Sequence, residues 1–320
     1  QSYPRENIEI NVWDNNSTDS TIKIIEDLQF TIYNLQFHKF TFEKSKVNLG
    51  MWPAQEELLQ HSHGEYIIVL SVDVILDLDF IKNAVEIMER DSQIGALQAK
   101  VYKYELVDEQ PKKTDVIDTL GFEMFKSRRI VNIGHGRVDQ EQYSVAREIF
   151  AVEGAVPVLS RQALEDCRLK SQDDRIVDPD FFWYGDDLDL AWRMRTFGWK
   201  QIYAPSVIAW HDRKTTKSLA GDWKNFIEIR KTVPMFKRRL DWRNTTLTII
   251  KNDFAINLWG DLPHIFWRQV RLWAYFLIFE PTMLLELFKV AKMLPKMLKR
   301  RSEIMKKAKI SAKDFRQWIH

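Results

Sequence analysis

At 320 residues, with 45% hydrophobic and 29% charged positions, the sequence lies in the ordinary globular range and can hold one large α/β domain plus a helical appendage. Its single cysteine, Cys167, excludes an internal disulfide and fits a reducing compartment. The net charge of +2 is unevenly spread: residues 289–320 hold eleven Lys and Arg against Glu303 and Asp314, a net +9, which leaves −7 on residues 1–288. An acidic body with a basic tail suggests an anion-binding surface at one end, although a solvated helix face is the plainer reading.

The chain starts at Gln1 and shows no signal peptide. Residues 8–13 (IEINVW) read as a buried strand, followed by the turn-forming run Asp14-Asn15-Asn16-Ser17-Thr18-Asp19. Helical spacing over 21–28 has Asp19 or Ser20 available as its cap. A strand is expected over 37–42, a helix over 54–62, a short β-branched strand over 66–70 (YIIVL), a helix over 80–90 and a strand over 94–102. This β/α alternation predicts a parallel sheet with helices on both faces and ligands at the carboxyl ends of its strands. Asp14 and Asp73 both fall just past such an end.

Residues 105–148 are polar and irregular around Gly134, His135 and Gly136, which predicts a mobile binding loop. A strand over 150–159 leads to a helix over 161–167. After an acidic run come a helix over 189–197 and short strands over 201–203 and 207–210. From about residue 220 the pattern turns helical, aromatic and basic, dividing the chain into a catalytic domain, 1–219, and a helical region, 220–320.

Four segments can carry chemistry. Asp14 and its short amide neighbours, at a strand end, can read a base edge and ribose hydroxyls, although such runs also form plain turns. Asp73, in Leu70-Ser71-Val72-Asp73-Val74, is placed to bind a hard divalent cation together with diphosphate oxygens, or simply caps the strand. Asp186, Asp187 and Asp189 sit among aromatics in FFWYGDDLDL, where close carboxylates must bind metal, meet cations or hold raised pKa values; Arg193 is one turn beyond Asp189, ready for an ion pair. His211, in Trp210-His211-Asp212-Arg213, can ligate metal or hydrogen-bond phosphate, or be structural.

Taken in order, DNNSTD, NLG (Asn48, Leu49, Gly50), GEYIIVLSVDV, EGAVPVLSR, FFWYGDDLDLAWRMRTFGW and IAWH resemble family 2 glycosyltransferases, most of all their bacterial rhamnosyltransferase-type branch. The resemblance covers residues 1–213 and continues more loosely through Lys251-Asn252-Asp253. It implies a GT-A fold, a doubly wound α/β sheet, here with a C-terminal amphipathic helical extension.

By the same resemblance Asp14, with Asn15 and Asn48, contacts the nucleotide, and Asp73 is the last carboxylate of the DxD-type metal site. Gly154 and Ala155 form the loop beside donor sugar and acceptor, and His211 completes the metal or diphosphate site. Asp187 is the catalytic base of an inverting transfer, with Asp186 standing where Glu is usual and Asp189 supporting the motif. Ser71 replaces the first DxD carboxylate, and the family's first β-α unit has no counterpart, so the sequence resembles a chain lacking it. The implied cofactor is Mg or Mn. The implied donor is a dTDP-, UDP- or GDP-linked sugar, with dTDP-rhamnose first, and the acceptor a glycan or lipid-linked glycan of cell-envelope polysaccharide synthesis. A catalytically silent nucleotide-sugar-binding scaffold is the alternative.

Residues 272–288 are apolar but interrupted by Glu280, Pro281 and Glu286, unlike a spanning helix. Beyond them Leu284, Leu285, Leu287, Phe288, Ala291, Leu294 and Leu298 alternate with Lys289, Lys292, Lys296, Lys299, Arg300 and Arg301. That pattern suits an in-plane helix on anionic lipid, hence a peripheral protein at the cytoplasmic face of the cell membrane, or else a helix packed on the body. Processive relatives carry Gln-x-x-Arg-Trp, whereas Gln269-Val270-Arg271-Leu272-Trp273 has different spacing, so a non-processive enzyme is expected. Aromatics are sparse among the tail lysines, which argues against nucleic-acid binding.

Overall fold

The structure, a computed structural model, describes residues 1–213, 228 and 230–320. The domain boundary expected at 219/220 lies outside the described residues.

Strand β1 (Glu9–Asp14) pairs in parallel with β2 (Lys39–Lys44), with helix α1 (Thr21–Asn34) between them in sequence. Helix α2 (Met51–His61) follows, then β3 (Tyr66–Ile68), β4 (Val74–Leu76), α3 (Phe80–Met88) and β5 (Ile94–Val107). The remaining strands are β6 (Gln110–Thr119), β7 (Phe122–Met124), β8 (Ile130–Asn132), β9 (Arg147–Glu148), β10 (Val158–Ser160) and β11 (Lys200–His211). Helix α4 (Arg161–Asp166) follows β10, and α5 (Asp186–Thr196) precedes β11.

The main sheet runs β3-β10-β5-β11-β4, with β6 on β5 and β9 on β11. It is mixed rather than parallel: only β5 and β11 run parallel, while β3, β4 and β10 pair antiparallel. The antiparallel strands β3, β4 and β10 are each three residues long and pair with strands distant in sequence. Among the described residues β1 pairs only with β2 and β3 only with β10, so each keeps an unpaired edge.

One face buries Phe80, Ala84 and Met88 of α3, and the other buries Ala163, Leu164, Leu188, Ala191 and Met194 of α4 and α5. Helices on both faces are as the alternation predicted.

Three expected elements differ. Residues 105–148 are irregular mainly over 133–146; before them β5 and β6 form a hairpin whose turn, Asp108-Glu109, has φ of 50° and 63° at its two residues. That left-handed pair is the twist a two-residue hairpin needs, but it is built here without the usual glycine signal. The strand expected over 150–159 is strand only at its end. Residues 150–157 form a buried loop, joined to the chain after β3 by Val69 N–H to Pro157 O (3.2 Å) and Ser71 N–H to Ala155 O (3.1 Å). The strands expected at 201–203 and 207–210 are one strand, irregular between Ala204 and Ile208, where Pro205 removes a donor.

Helices α6 (Met235–Asn252), α7 (Ala255–Gly260), α8 (Leu262–Phe279), α9 (Leu284–Lys307) and α10 (Ala312–Phe315) complete the fold. The last residues return to the hydrophobic core: Phe315 stacks on Trp192 (5.7 Å), and His320 N–H reaches Met124 O (2.9 Å). Much of the basic tail therefore neutralises the acidic body rather than standing free. Arg300 bonds Asp178 at 2.8 Å, Lys296 bonds Asp180 at 2.7 Å and Lys309 bonds Asp166 at 3.3 Å.

Candidate active site

The acidic motif is delivered by a strained turn. Tyr184 (φ 66°) and Gly185 (φ 78°) are both left-handed, a conformation that costs a non-glycine residue about 1–3 kcal/mol. Helix α5 then begins at Asp186, one turn earlier than expected, which puts Asp186, Asp187 and Asp189 where the helix dipole favours negative charge.

The three carboxylates separate at once. Asp186 is buried; its Oδ1 accepts Asp187 N–H at 3.2 Å and its Oδ2 has no hydrogen-bond partner among the described residues. Burial, reinforced by Asp187, holds its carboxyl well above the usual carboxylate range. Asp187 is only part-buried; it accepts Leu188 N–H on Oδ1 (2.8 Å) and Gly154 N–H on Oδ2 (3.0 Å). Desolvation, then the neighbouring Glu153 charge, lifts it to about 6, where a carboxylate can accept a proton at neutral pH. Trp52, Val152, Pro157 and Leu190 line the recess beside it.

Asp189 points elsewhere, into the C-terminal helices. Its Oδ2 meets Lys251 Nζ (2.7 Å) and Arg193 (3.2 Å, the expected ion pair), and its Oδ1 accepts from Asn252 (2.6 Å). Lys251 also bonds Asp178 at 2.6 Å, fully buried, so Asp189 anchors helices and does not line the recess.

A second centre forms where β11 ends beside β4. His211 Nε2 stands 3.4 Å from Asp73 Oδ1, and its Nδ1 is 2.8 Å from Asp118 Oδ2. Burial alone would depress the imidazole, but the bonds to Asp118 and Asp73 outweigh it and lift it to about 9. The His211 bond in turn lowers Asp73. Asp118, at the end of β6, is fully buried and also takes Arg213 Nε at 2.8 Å; sequence reasoning missed it because its segment read as a loop.

Arg213 joins the two centres. While Nε holds Asp118, Nη2 bonds Glu153 Oε1 at 2.6 Å, and Glu153 Oε2 accepts Ala155 N–H at 3.0 Å. A continuous polar path thus runs Asp73–His211–Asp118–Arg213–Glu153, and the next residue, Gly154, bonds Asp187. Glu153 lay inside the EGAVPVLSR motif, but nothing in its spacing marked its charge as the one beside Asp187.

Asp14, Asn15 and Asn48 form the third group. Asp14 is buried and accepts Ser17 N–H at 3.1 Å. Asn15 Nδ2 donates to Asn48 Oδ1 and Gly50 O, both at 2.9 Å, and its Oδ1 accepts Leu49 N–H at 2.8 Å. Gly50 (φ 95°) lies so close to Phe182 that a Cβ would stand 2.1 Å from its carbonyl oxygen, and Met51 N–H bonds that same oxygen at 3.2 Å. This loop therefore abuts the turn carrying Asp187, while Ala155 O ties the 153–155 loop to Ser71, two residues before Asp73.

The Asp73–His211 pair fits a divalent cation. One carboxylate oxygen and one imidazole nitrogen face each other, and Asp118 fixes Nδ1 as the protonated nitrogen, the partner that ligating histidines require. Without a cation, a proton on Nε2 offsets the two carboxylates instead. Among the described residues no group of three or more His, Cys, Asp or Glu side chains is placed to hold a metal ion by itself, so water and phosphate oxygens would complete the shell.

Residues 1–145 match the family model described as glycosyl transferase family 2. The chain is 23% identical over 279 residues to the poly-β-1,6-N-acetyl-D-glucosamine synthase of Staphylococcus epidermidis, covering 87% of this chain and 54% of that protein. It thus spans about half the length of that relative. A stretch of 94 residues (28% of this chain, 27% of the relative) is 31% identical to the dolichyl N-acetyl-α-D-glucosaminyl phosphate 3-β-D-2,3-diacetamido-2,3-dideoxy-β-D-glucuronosyltransferase of Methanococcus voltae.

Among solved structures, GalNAc-T7 with UDP, GalNAc and Mn2+ aligns with a TM-score of 0.51 at 14% identity, covering 72% of this chain and 43% of that one. Staphylococcus aureus TarS 1-349 aligns at 0.50 and 13%, covering 99% and 84%. The chain has the GT-A fold, and its residues 1–145 are similar to glycosyl transferase family 2.

Proposed function

We propose that this protein transfers a glycosyl group from a nucleoside diphosphate sugar to a glycan acceptor by one inverting displacement. The observation that carries this reading is Asp187: a part-buried carboxylate tuned to about 6, held on a rigid helix terminus, and wired through Glu153, Arg213 and Asp118 to the Asp73–His211 pair. Asp187 takes the proton of the acceptor hydroxyl as that oxygen attacks the anomeric carbon. A single displacement inverts that carbon without a second carboxylate as nucleophile.

Asp73 and His211 would hold a divalent cation, Mg or Mn, which would supply positive charge beside the departing nucleoside diphosphate. Arg213 keeps its charge between the two centres, and Asp14, Asn15 and Asn48 take the nucleotide. Gly154 and Ala155 flank the reacting sugar.

The motif order supports dTDP-rhamnose as donor, whereas the name of the staphylococcal relative supports N-acetylglucosamine as the sugar, which a UDP-linked donor would test. Transfer is non-processive: Trp273, the tryptophan of the altered Gln-Arg-Trp sequence, packs on Trp242 (5.0 Å) and Phe276 (5.3 Å). The unpaired edges of β1 and β3 could each accept a further strand beside the nucleotide-binding residues. The exposed apolar stripe of α9, beside Lys292 and Lys299, supports peripheral attachment at the cytoplasmic face of an anionic membrane, where a lipid-linked acceptor would be presented.

The test is a panel of dTDP-rhamnose, UDP-N-acetylglucosamine and GDP-mannose, assayed for metal-dependent hydrolysis and transfer. Turnover of one donor is expected. Nucleotide-sugar binding without turnover of any donor would favour the silent scaffold.

A further inference from the structure

The turn that presents Asp187 is not self-supporting. Tyr184 carries a large side chain in the left-handed region, and Gly185 beside it is left-handed too. Two consecutive carbonyls at this bend, those of Trp183 and Tyr184, need donors. Both find the same one: Asn244 Nδ2 donates to Trp183 O at 2.9 Å and to Tyr184 O at 2.8 Å. Asn244 is fully buried, and its Oδ1 accepts Arg243 Nε at 3.0 Å, so its amide is saturated and fixed in orientation.

The grip continues along the same helix. Asn244, Thr248, Lys251 and Asn252 recur at helical spacing and share one face of α6. Thr248 Oγ1 donates to Gly185 O at 3.4 Å, and Lys251 and Asn252 hold Asp189. Helix α6 thus contacts the 183–189 segment from the turn to the end of the first helical turn. The Cβ of Asn244 is also the atom nearest to where a side chain at Gly185 would begin, at 3.2 Å.

We infer that Asn244 is a positioning residue for the transfer reaction: by supplying both carbonyl donors it locks the Trp183-Tyr184-Gly185 turn and fixes the direction from which the Asp187 carboxylate meets the acceptor. The inference rests on the proposed role of Asp187. It makes the C-terminal helices a wall of the active site rather than an appendage.

Two readouts test it. The first is hydrogen–deuterium exchange, which needs no substrate. In Asn244→Ala, and in Asn244→Asp should the alanine variant fail to fold, amides 183–189 exchange at least tenfold faster while those of β5 do not change. Tyr184→Gly, which frees the turn of its conformational cost, restores much of the protection in the Asn244 background. Equal exchange across 183–189 in wild type and both Asn244 variants would overturn the clamp.

The second readout is turnover of whichever panel donor is used, UDP-N-acetylglucosamine being the first probe. The Asn244 variants lose up to about 100-fold in kcat, the scale of a small misplacement of a reacting group, with donor KM within twofold. An unchanged kcat, or parallel losses in kcat and donor affinity, overturns the positioning role. A wild type that turns over no donor overturns the proposed function instead, and the exchange rates of 183–189 then decide the clamp by themselves.

Discussion

The backbone N–H of Gly154 donates to Asp187 Oδ2 at 3.0 Å, and the space a side chain would need at position 154 is already filled by that carboxylate. A Cβ on Gly154 would lie 2.8 Å from both Oδ2 and Cβ of Asp187, closer than real contacts allow. Gly154→Ala therefore has to push Asp187 off its hydrogen bond. The expected result is at least about a tenfold loss of kcat, since sub-ångström to ångström displacements of a reacting group are that costly, with little change in nucleoside diphosphate binding. Steady-state kinetics with a calorimetric titration of the nucleoside diphosphate separates the two.

Removing the proposed base should have opposite effects on activity and stability. Asp187→Asn should lower turnover by about 10²–10⁴-fold, the usual worth of a general base, and leave donor binding nearly intact. The folded pKa of Asp187, about 6, lies above the unfolded value of about 3.9. The stability its burial allows is therefore complete below about pH 4 and declines as pH rises through about 6, because the ionised form is disfavoured in the fold. Asp187→Asn should accordingly melt about 2–5 °C higher than wild type at pH 8, with the gap closing toward pH 4. Thermal melts at the two pH values check it.

The same titration governs rate. With Asp187 as base, kcat/KM should rise about tenfold per pH unit below about pH 6 and level off above it. After desolvation, the Glu153 charge is the largest influence raising Asp187, and Glu153 also occupies Arg213. Glu153→Gln removes the repulsion and frees the Arg213 cation, both of which lower the Asp187 pKa, so the acidic limb should move to lower pH. Because desolvation remains, the shift should be partial. A limb that stays in place, or moves up, would contradict the assignment.

On the cation side, Asp118 never reaches the cleft yet fixes the His211 ring through Nδ1 at 2.8 Å. Outer partners of this kind are worth about 10–100-fold in metal affinity. Asp118→Asn should weaken Mn2+ binding by that factor and His211→Ala by more, each read by direct Mn2+ titration without any substrate. Unaltered Mn2+ affinity in both variants would remove the cation from Asp73 and His211.

Much of this site was legible in the sequence because its chemistry sits at strand ends and helix starts, where local pattern is strong. The β/α alternation placed Asp14 and Asp73, and the aromatic frame of Asp186 and Asp187 marked them as other than a solvated face. What escaped was set by tertiary packing. Asp118 lies at the end of a hairpin whose turn uses Asp108 and Glu109 in left-handed conformations, so no glycine announced the strand. Asp189 shared a motif with Asp187 but faces the other side of α5, toward Lys251, a partner 62 residues away. The Lys251-Asn252-Asp253 run was visible as a loose continuation of the resemblance. Its task was not, because only the fold brings α6 to the acidic turn. Asn244 carried no local signal at all.

The tail gives the last prediction. One face of α9 is committed to the protein: Glu286, Met297, Arg300 and Ile304 are buried. The face bearing Leu287, Phe288, Leu294 and Leu298 is exposed, Phe288 at 75%, and the adjoining helices add exposed Trp259, Trp267 and Ile278. No helix among the described residues is long and apolar enough to cross a membrane. Apolar side chains of this kind, with exposed Lys292 and Lys299 beside them, match a bilayer surface of anionic headgroups over acyl chains. The protein should float with phosphatidylglycerol-containing vesicles and much less with phosphatidylcholine alone. Added salt should weaken the anionic preference, since each basic residue near the surface contributes about 1 kcal/mol through a screened potential. Phe288→Glu, on the free face and away from the buried one, should abolish flotation while leaving the melting temperature within about 2 °C, as surface changes usually do. Equal partition onto neutral and anionic vesicles, or flotation untouched by Phe288→Glu, would show that this stripe serves another contact.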